Sequence, residues 1–149
     1  MSDDDRHWLQ LERTYEAPIE AVFDAWTSEE VLRRWWRPQD GWHTPEAIVD
    51  LRVGGTIRVV MHDPDGDSHG ASGTYTEVER PTRLAFTWTW DGSDREGLVE
   101  VDFEERDGLT RVVFTHSGLE DEETVRSHED GWGHVLDELG RYLSGSPSR

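Results

Sequence analysis

Apolar residues recur along this chain with two different periods, and the switches between them divide it into elements. From His7 to Glu16 (HWLQLERTYE) the pattern alternates, with Trp8 in phase with Gln10 and Glu12 and Leu9 in phase with Leu11 and Arg13. Alternation of this kind predicts a strand. Ala17-Pro18 breaks it, and Pro18 suits the first turn of a helix, where its missing N–H is not needed. That helix, about 18–26, sets Ile19, Val22, Phe23 and Trp26 at i, i+3, i+4 and i+7, an apolar stripe. Thr27-x-x-Glu30 has capping-box spacing and predicts a second helix directly after the first. Val31, Leu32, Trp35 and Trp36 form its apolar side, and Pro38 ends it.

From about 44 to 117 the period becomes two. Ala47, Val49, Leu51 and Val53 alternate, Gly54-Gly55 turns the chain, and Ile57, Val59 and Met61 follow. DPDGDSHG (63–70) reads as a turn-rich loop before a strand around Ala71–Val78, and ERPTR as another turn. Leu84, Phe86, Trp88 and Trp90 share one face of the next strand, opposite Ala85, Thr87 and Thr89. After DGSD (91–94), Val99, Val101 and Phe103 point in between Glu100, Asp102 and Glu104. RDG (106–108) predicts a hairpin turn, beyond which Val112, Phe114 and His116 share a face.

The last element, about 121–143, returns to helical spacing, with Val125, Trp132, Val135, Leu136, Leu139 and Leu143 in one stripe. His128 falls on that stripe, and His134 is predicted to point the opposite way. Six or seven antiparallel strands, two short helices after the first and one long helix at the end make an α+β class. The long helix must bury its stripe against the sheet.

Composition narrows the function classes. The 149 residues suit one domain, expected over 1–149 with its core at about 8–144. No apolar run approaches the ~18 residues of a membrane span. The acidic start MSDDDRHW lacks the charge and apolar pattern of a signal peptide, so a cytoplasmic protein is expected. There is no cysteine, hence no disulfide or thiol chemistry. Acidic residues number 33 against 15 basic, a net charge of −18, and every basic residue is arginine. Such a field repels phosphate backbones and anionic lipid, so neither nucleic acid nor membrane is an expected partner. Adaptation to a salty cytoplasm and GC-rich codon usage each account for the acidity.

GxSxG, P-loop and Rossmann patterns are missing, and no short-spaced His or His/Glu cluster supplies three metal ligands. His62 and His69 flank an Asp-rich turn (Asp63, Asp65, Asp67) without the closing Glu of a calcium loop. Asp50 is expected in solvent or beside Arg52 or Arg58. No metal, cofactor or catalytic residue is therefore assigned. Seven tryptophans, Trp26, Trp35, Trp36, Trp42, Trp88, Trp90 and Trp132, serve either as core or as the flat wall of a pocket. Arg33, Arg34 and Arg37 either pair with nearby carboxylates or collect an anionic head group.

The order β-α-α-β(5–6)-α, carried by APIEAVFDAWTSEEVLRRWWRP, VDLRVGG, DGDSHGASGTYTEVERPTRLAFTWTW, VVFTHSGL and GWGHVLDELGRYL, resembles the activator of heat-shock-protein-90 ATPase homologue-like domains of the START-like superfamily. The resemblance covers about residues 8–144. It implies a helix-grip fold: a curved antiparallel sheet wrapped round the C-terminal helix, with a cavity between them and the two short helices over one end. It also implies a non-catalytic domain holding a small apolar or aromatic ligand in that cavity. The liners expected on this basis are Trp35, Trp36, Phe86, Trp88, Phe103, Phe114, His116, His128 and Trp132. An enzyme of cyclase or hydrolase type would draw its acid and base from His116, His128, Glu77 or Tyr75. A stress-response or co-chaperone interaction module is the other alternative. The absence of lysine, and of room for the eukaryotic activator's additional N-terminal domain, weighs against a chaperone partner, and a homodimer is left open. If the acidity is a salt adaptation, the melting temperature will rise steeply with KCl over the molar range; a flat profile assigns it to codon usage.

Overall fold

Alternating burial builds the strands and a one-sided apolar stripe builds each helix. The computed structural model describes residues 7–145. Its elements are β1 (Trp8–Tyr15), α1 (Ile19–Thr27), α2 (Glu29–Trp35), β2 (His43–Val49), β3 (Thr56–His62), β4 (Ser68–Glu79), β5 (Arg83–Trp90), β6 (Gly97–Arg106), β7 (Leu109–Ser117) and α3 (Glu122–Ser144). The strands form one antiparallel sheet in the order β1-β7-β6-β5-β4-β3-β2, curved around α3 in a helix-grip α+β fold. β1 and β2 are opposite edges, so α1 and α2 must carry the chain across the open end of the sheet. No helix among the described residues is long and apolar enough to cross a membrane.

Two glycines let the sheet turn and bend. Asp107 and Gly108 both take positive φ, 55° and 81°, between the paired Arg106 and Leu109, the two-residue hairpin that RDG predicts. At Gly73 a Cβ would lie 1.7 Å from the Thr87 carbonyl oxygen, so only glycine allows β4 and β5 to approach here. The β4–β5 register then slips between Tyr75 and Glu77. The slip separates two residues that simple alternation places in phase. Tyr75 is buried in the core, while Glu77 lies with Glu100 and Asp102 around the Arg83 guanidinium.

The concave face of the sheet and the stripe of α3 share one apolar core. From the sheet come Ile57, Val59, Leu84, Phe86, Val101, Val112 and Phe114; from α3 come Trp132, Val135, Leu136 and Leu139. The second half of α3 is pinned to β1. The buried Tyr15 hydroxyl donates to the Leu136 carbonyl at 2.8 Å, and Arg13 meets Asp137 at 2.8 Å on the surface.

Several local boundaries differ from the sequence reading. α1 begins at Ile19 with Pro18 at its N-cap, not inside the first turn. The cap of α2 is Ser28, whose Oγ accepts the Val31 N–H at 3.3 Å. Thr27 is still the last residue of α1, its hydroxyl donating back to the Phe23 carbonyl at 3.1 Å, so it cannot cap the next helix. Glu30 bonds Arg34 rather than closing a capping box. Leu51 and Val53 are not strand: β2 ends at Val49, the chain turns, and Val53 is exposed. The loop after β3 is shorter than 63–70, because the Asp63 carboxylate accepts the Asp65 and Asp67 N–H groups and lets β4 start at Ser68.

The cap assignment is testable by thermal melts. Ser28→Ala should cost about 1 kcal/mol and lower the melting temperature by about 2–4 °C, and Thr27→Ala should cost less.

Candidate functional site

A cleft of about 270 Å³ lies where α3 diverges from the sheet under the end of α2. The segment after α2 contributes Trp36, Pro38, Gln39 and Trp42; the sheet contributes Met61, His69, Trp88 and Trp90; and the first half of α3 contributes Ser127, His128, Gly131, Trp132 and Val135. Its floor is a cluster of indoles, with Trp36 stacked on Trp88 at 6.0 Å and edge-on to Trp132 at 5.4 Å. Trp90 meets Trp88 edge-on at 5.5 Å, and Trp42 lies over the His69 ring at 4.8 Å. The Trp88 indole N–H is buried and has no acceptor within the protein.

The adjacent tryptophans of α2 divide their work. Trp35 turns back under α1, its Nε1–H donating to the Ala25 carbonyl at 3.0 Å and its ring edge-on to Trp26. Trp36, one residue on, faces the cleft. Its carbonyl accepts from the buried Thr44 hydroxyl, which ties this turn to β2.

One histidine behind the indoles, His116, and one beside them on the cleft wall, His128, each spend a lone pair on an indole. Trp132 Nε1–H donates to His116 Nδ1 at 2.9 Å. Trp90 Nε1–H donates to His128 Nε2 at 3.0 Å, while His128 Nδ1 donates to the Thr124 carbonyl at 2.9 Å. A histidine that accepts from an indole is neutral. Burial favours the same form, and together with the neighbouring His128 it pushes the His116 pKa down to about 3. Burial also lowers that of His128, against the Thr124 carbonyl bond. Neither ring turns a free basic nitrogen toward the cleft.

A second polar cluster fastens the cleft's rim. The Glu138 carboxylate, 1 % exposed, meets Arg141 at 3.3 Å and Arg37 at 3.5 Å. His134, which its phase sets opposite the apolar stripe, reaches the segment after α2: its Nδ1 donates to the Arg37 carbonyl at 2.8 Å and its Nε2 meets Asp40 at 3.1 Å. Asp40, His134 and Glu138 hold donor atoms within 4.8 Å of one another, a spacing a divalent cation could bridge. The two guanidiniums on Glu138 already neutralise that pocket.

The sequence matches the family described as activator of Hsp90 ATPase homolog 1-like protein over residues 16–144. The chain belongs to this family. Among solved structures, the AHSA1 protein of Silicibacter pomeroyi is 32% identical, with 92% of this chain and 97% of that one covered and a TM-score of 0.82. An AHSA1-like protein from Aeromonas hydrophila is 33% identical, covering 92% of this chain and 93% of its own, with a TM-score of 0.78. An HSP90 activator from Plasmodium falciparum, 21% identical over 96% of this chain and 99% of its own, shares the fold at a TM-score of 0.72. No curated protein matches the sequence.

Of the liners expected from the family resemblance, Trp36, Trp88, His128 and Trp132 border the cleft, whereas Trp35, Phe86, Phe103, Phe114 and His116 lie behind it in the core. Phe103 packs edge-on against Phe23 of α1, and Phe114 lies under Trp26 and Trp132, so both are screened from the cleft. Tyr75 is buried away from the cleft, and burial raises its pKa. Glu77 is held by Arg83. Reasoning from the sequence missed Pro38, Gln39, Met61, His69, Ser127, Gly131 and Val135, and it left Trp42 and Trp90 out of the expected liners although both were named among the tryptophans that serve as core or pocket wall. Met61 and Val135 carried a usable signal, since each is in phase with apolar neighbours. Of the three arginines, Arg34 pairs with Glu30 and Arg37 with Glu138, and none borders the cleft.

The neutral histidines set a pH dependence. Below the ordinary imidazole value of 6.5 the unfolded chain takes up a proton at His116 that the folded protein refuses until about 3. Stability should therefore fall as pH drops through that window, by up to about 1.4 kcal/mol per pH unit for this group. In denaturant titrations His116→Gln, which retains an acceptor for Trp132, should show a shallower acid slope.

Proposed function

We propose that this chain is a non-catalytic START-like binding domain that holds one small apolar or aromatic molecule in the cleft between sheet and C-terminal helix. The observation that carries the reading is the cleft itself: about 270 Å³ left unfilled beside a core otherwise crowded with indoles. Concave, mostly apolar clefts with a few polar groups on their walls are the usual form of a small-molecule site. Five tryptophans border it, three of them buried, so a flat apolar guest would gain contact on several sides. At about 30 Å³ per water, the space equals about nine waters, which suits a one-ring or two-ring molecule rather than a long acyl chain. A non-catalytic role is supported by His116 and His128, whose lone pairs are engaged by indole donors.

A chaperone-interaction module is the second reading, favoured by the family description and by the HSP90 activator among the structural neighbours. Large exposed apolar side chains are dispersed, with Trp8 on β1 and Ile48 on β2, the opposite edges of the sheet. Recovery of a chaperone in a pull-down at moderate salt would favour this module.

Native mass spectrometry of the purified protein should show an adduct of small-molecule mass that disappears on denaturation. Gly131→Leu should abolish it. A Cβ at 131 has ordinary contact with Pro38 at 3.7 Å, and a longer side chain extends into the cleft. The same change should raise stability by about 0.5–1 kcal/mol, since glycine is a poor residue inside a helix. A clean apo mass, together with no tryptophan quenching by one-ring aromatics at millimolar concentration, would defeat the binding reading.

A further inference from the structure

Resting on that reading, the chemistry of the cleft wall narrows the class of guest. Tryptophan is the strongest cation-binding ring among the side chains, and five indoles border this one cleft. Arginine, which an anionic head group would need, is missing from the wall, as are aspartate and glutamate. The basic nitrogen of His128 is engaged by Trp90, and His69 is paired with Asp63 at 2.9 Å. Gln39 and Ser127 are the remaining polar side chains on the wall, and an ammonium ion with several N–H groups would exchange most of its water for indole carbon and lose hydrogen bonds. A quaternary ammonium has no N–H to satisfy, and its diffuse charge is weakly hydrated. The long-range field adds to this preference. The chain carries −18, and Asp40 and Asp130, next in sequence to the bordering Gln39 and Gly131, are exposed. Such a field concentrates cations at the surface and repels anions.

We propose that the cleft's guest is a cation of the quaternary or fully alkylated ammonium class, held by the tryptophan wall. The test is a matched pair: phenyltrimethylammonium and tert-butylbenzene share one shape and differ in the central atom, a positive nitrogen against a carbon. Each is titrated by tryptophan fluorescence and by ligand-observed NMR at fixed 0.15 M salt. The expected result is at least tenfold tighter binding of the ammonium. Trp42→Leu and Trp90→Leu, each checked by its thermal melt, should reduce that preference severalfold while tert-butylbenzene affinity changes less than twofold. Equal binding of the two probes overturns the cation proposal and leaves the apolar-cleft reading standing. Binding of neither removes both. A preference for the ammonium that both variants retain in full also overturns the proposal, because the acidic surface alone would produce it.

Discussion

The structure turns on Trp36. Its ring touches Trp26 and Trp35 from the helical lid, Trp88 from the sheet and Trp132 from the C-terminal helix, all at centroid distances between 5.4 and 6.0 Å. Three layers of the fold thus meet on one side chain that is 1 % exposed. An aromatic of this size buries about 150–250 Å², worth about 4–6 kcal/mol at about 25 cal/mol per Å². Phe114 of β7 makes a second such junction, against Trp26 of the lid and Trp132 of the grip helix. Because the indole of Trp36 is rigid, its contacts hold the three layers at a spacing that the neighbouring side chains do not fill, and the cleft is the result.

The long helix works as two halves under different constraints. Its second half is bound to β1 by Tyr15 and Arg13 and to the segment after α2 by the buried Glu138 carboxylate. A carboxylate at that depth is tolerable only because two guanidiniums and the His134 edge surround it. The first half carries His128 and Gly131 where a continuous apolar stripe would have sealed the core. Glycine adds no side chain at the rim, and His128 is held back by its bonds to Trp90 and the Thr124 carbonyl. The fixed half positions the helix, and the half with the smaller residues leaves the space.

The polar groups around that space are arranged for binding rather than for proton transfer. The buried His116 and the half-buried His128 both serve as acceptors for indole N–H groups, which orients the tryptophan rings and keeps the histidines neutral. Arg34 of α2 and Arg37 of the following turn are held in ion pairs, so they stiffen the rim instead of presenting charge to a guest. Family membership accounts for the architecture.

How much of this was legible in the sequence depends on the range of the interactions involved. Element types were local and legible: period-two alternation marked the strands, the i, i+3, i+4 stripe marked α1 and α3, and Asp107-Gly108 marked its hairpin. The inward phases of Val99, Val101 and Phe103 and of Val112, Phe114 and His116 were likewise set by alternation alone. Two local readings failed because neighbouring elements competed for the same residue. Thr27 was already the end of α1, and Leu51 and Val53 were needed for a turn. The side taken by Glu77 was not legible, because it depends on the register slip between Tyr75 and Glu77 where β4 pairs with β5. The site itself was decided in three dimensions. Adjacent residues Trp35 and Trp36 have one chemistry, yet one fills the core and the other walls the cleft, because the chain turns between them. By itself the sequence determined which residues are apolar, which elements they form and how strongly acidic the surface is, since these follow from composition and period. Only the tertiary structure decided which tryptophans face the unfilled space and which histidine lone pairs are spent, since these depend on contacts between residues far apart in the chain.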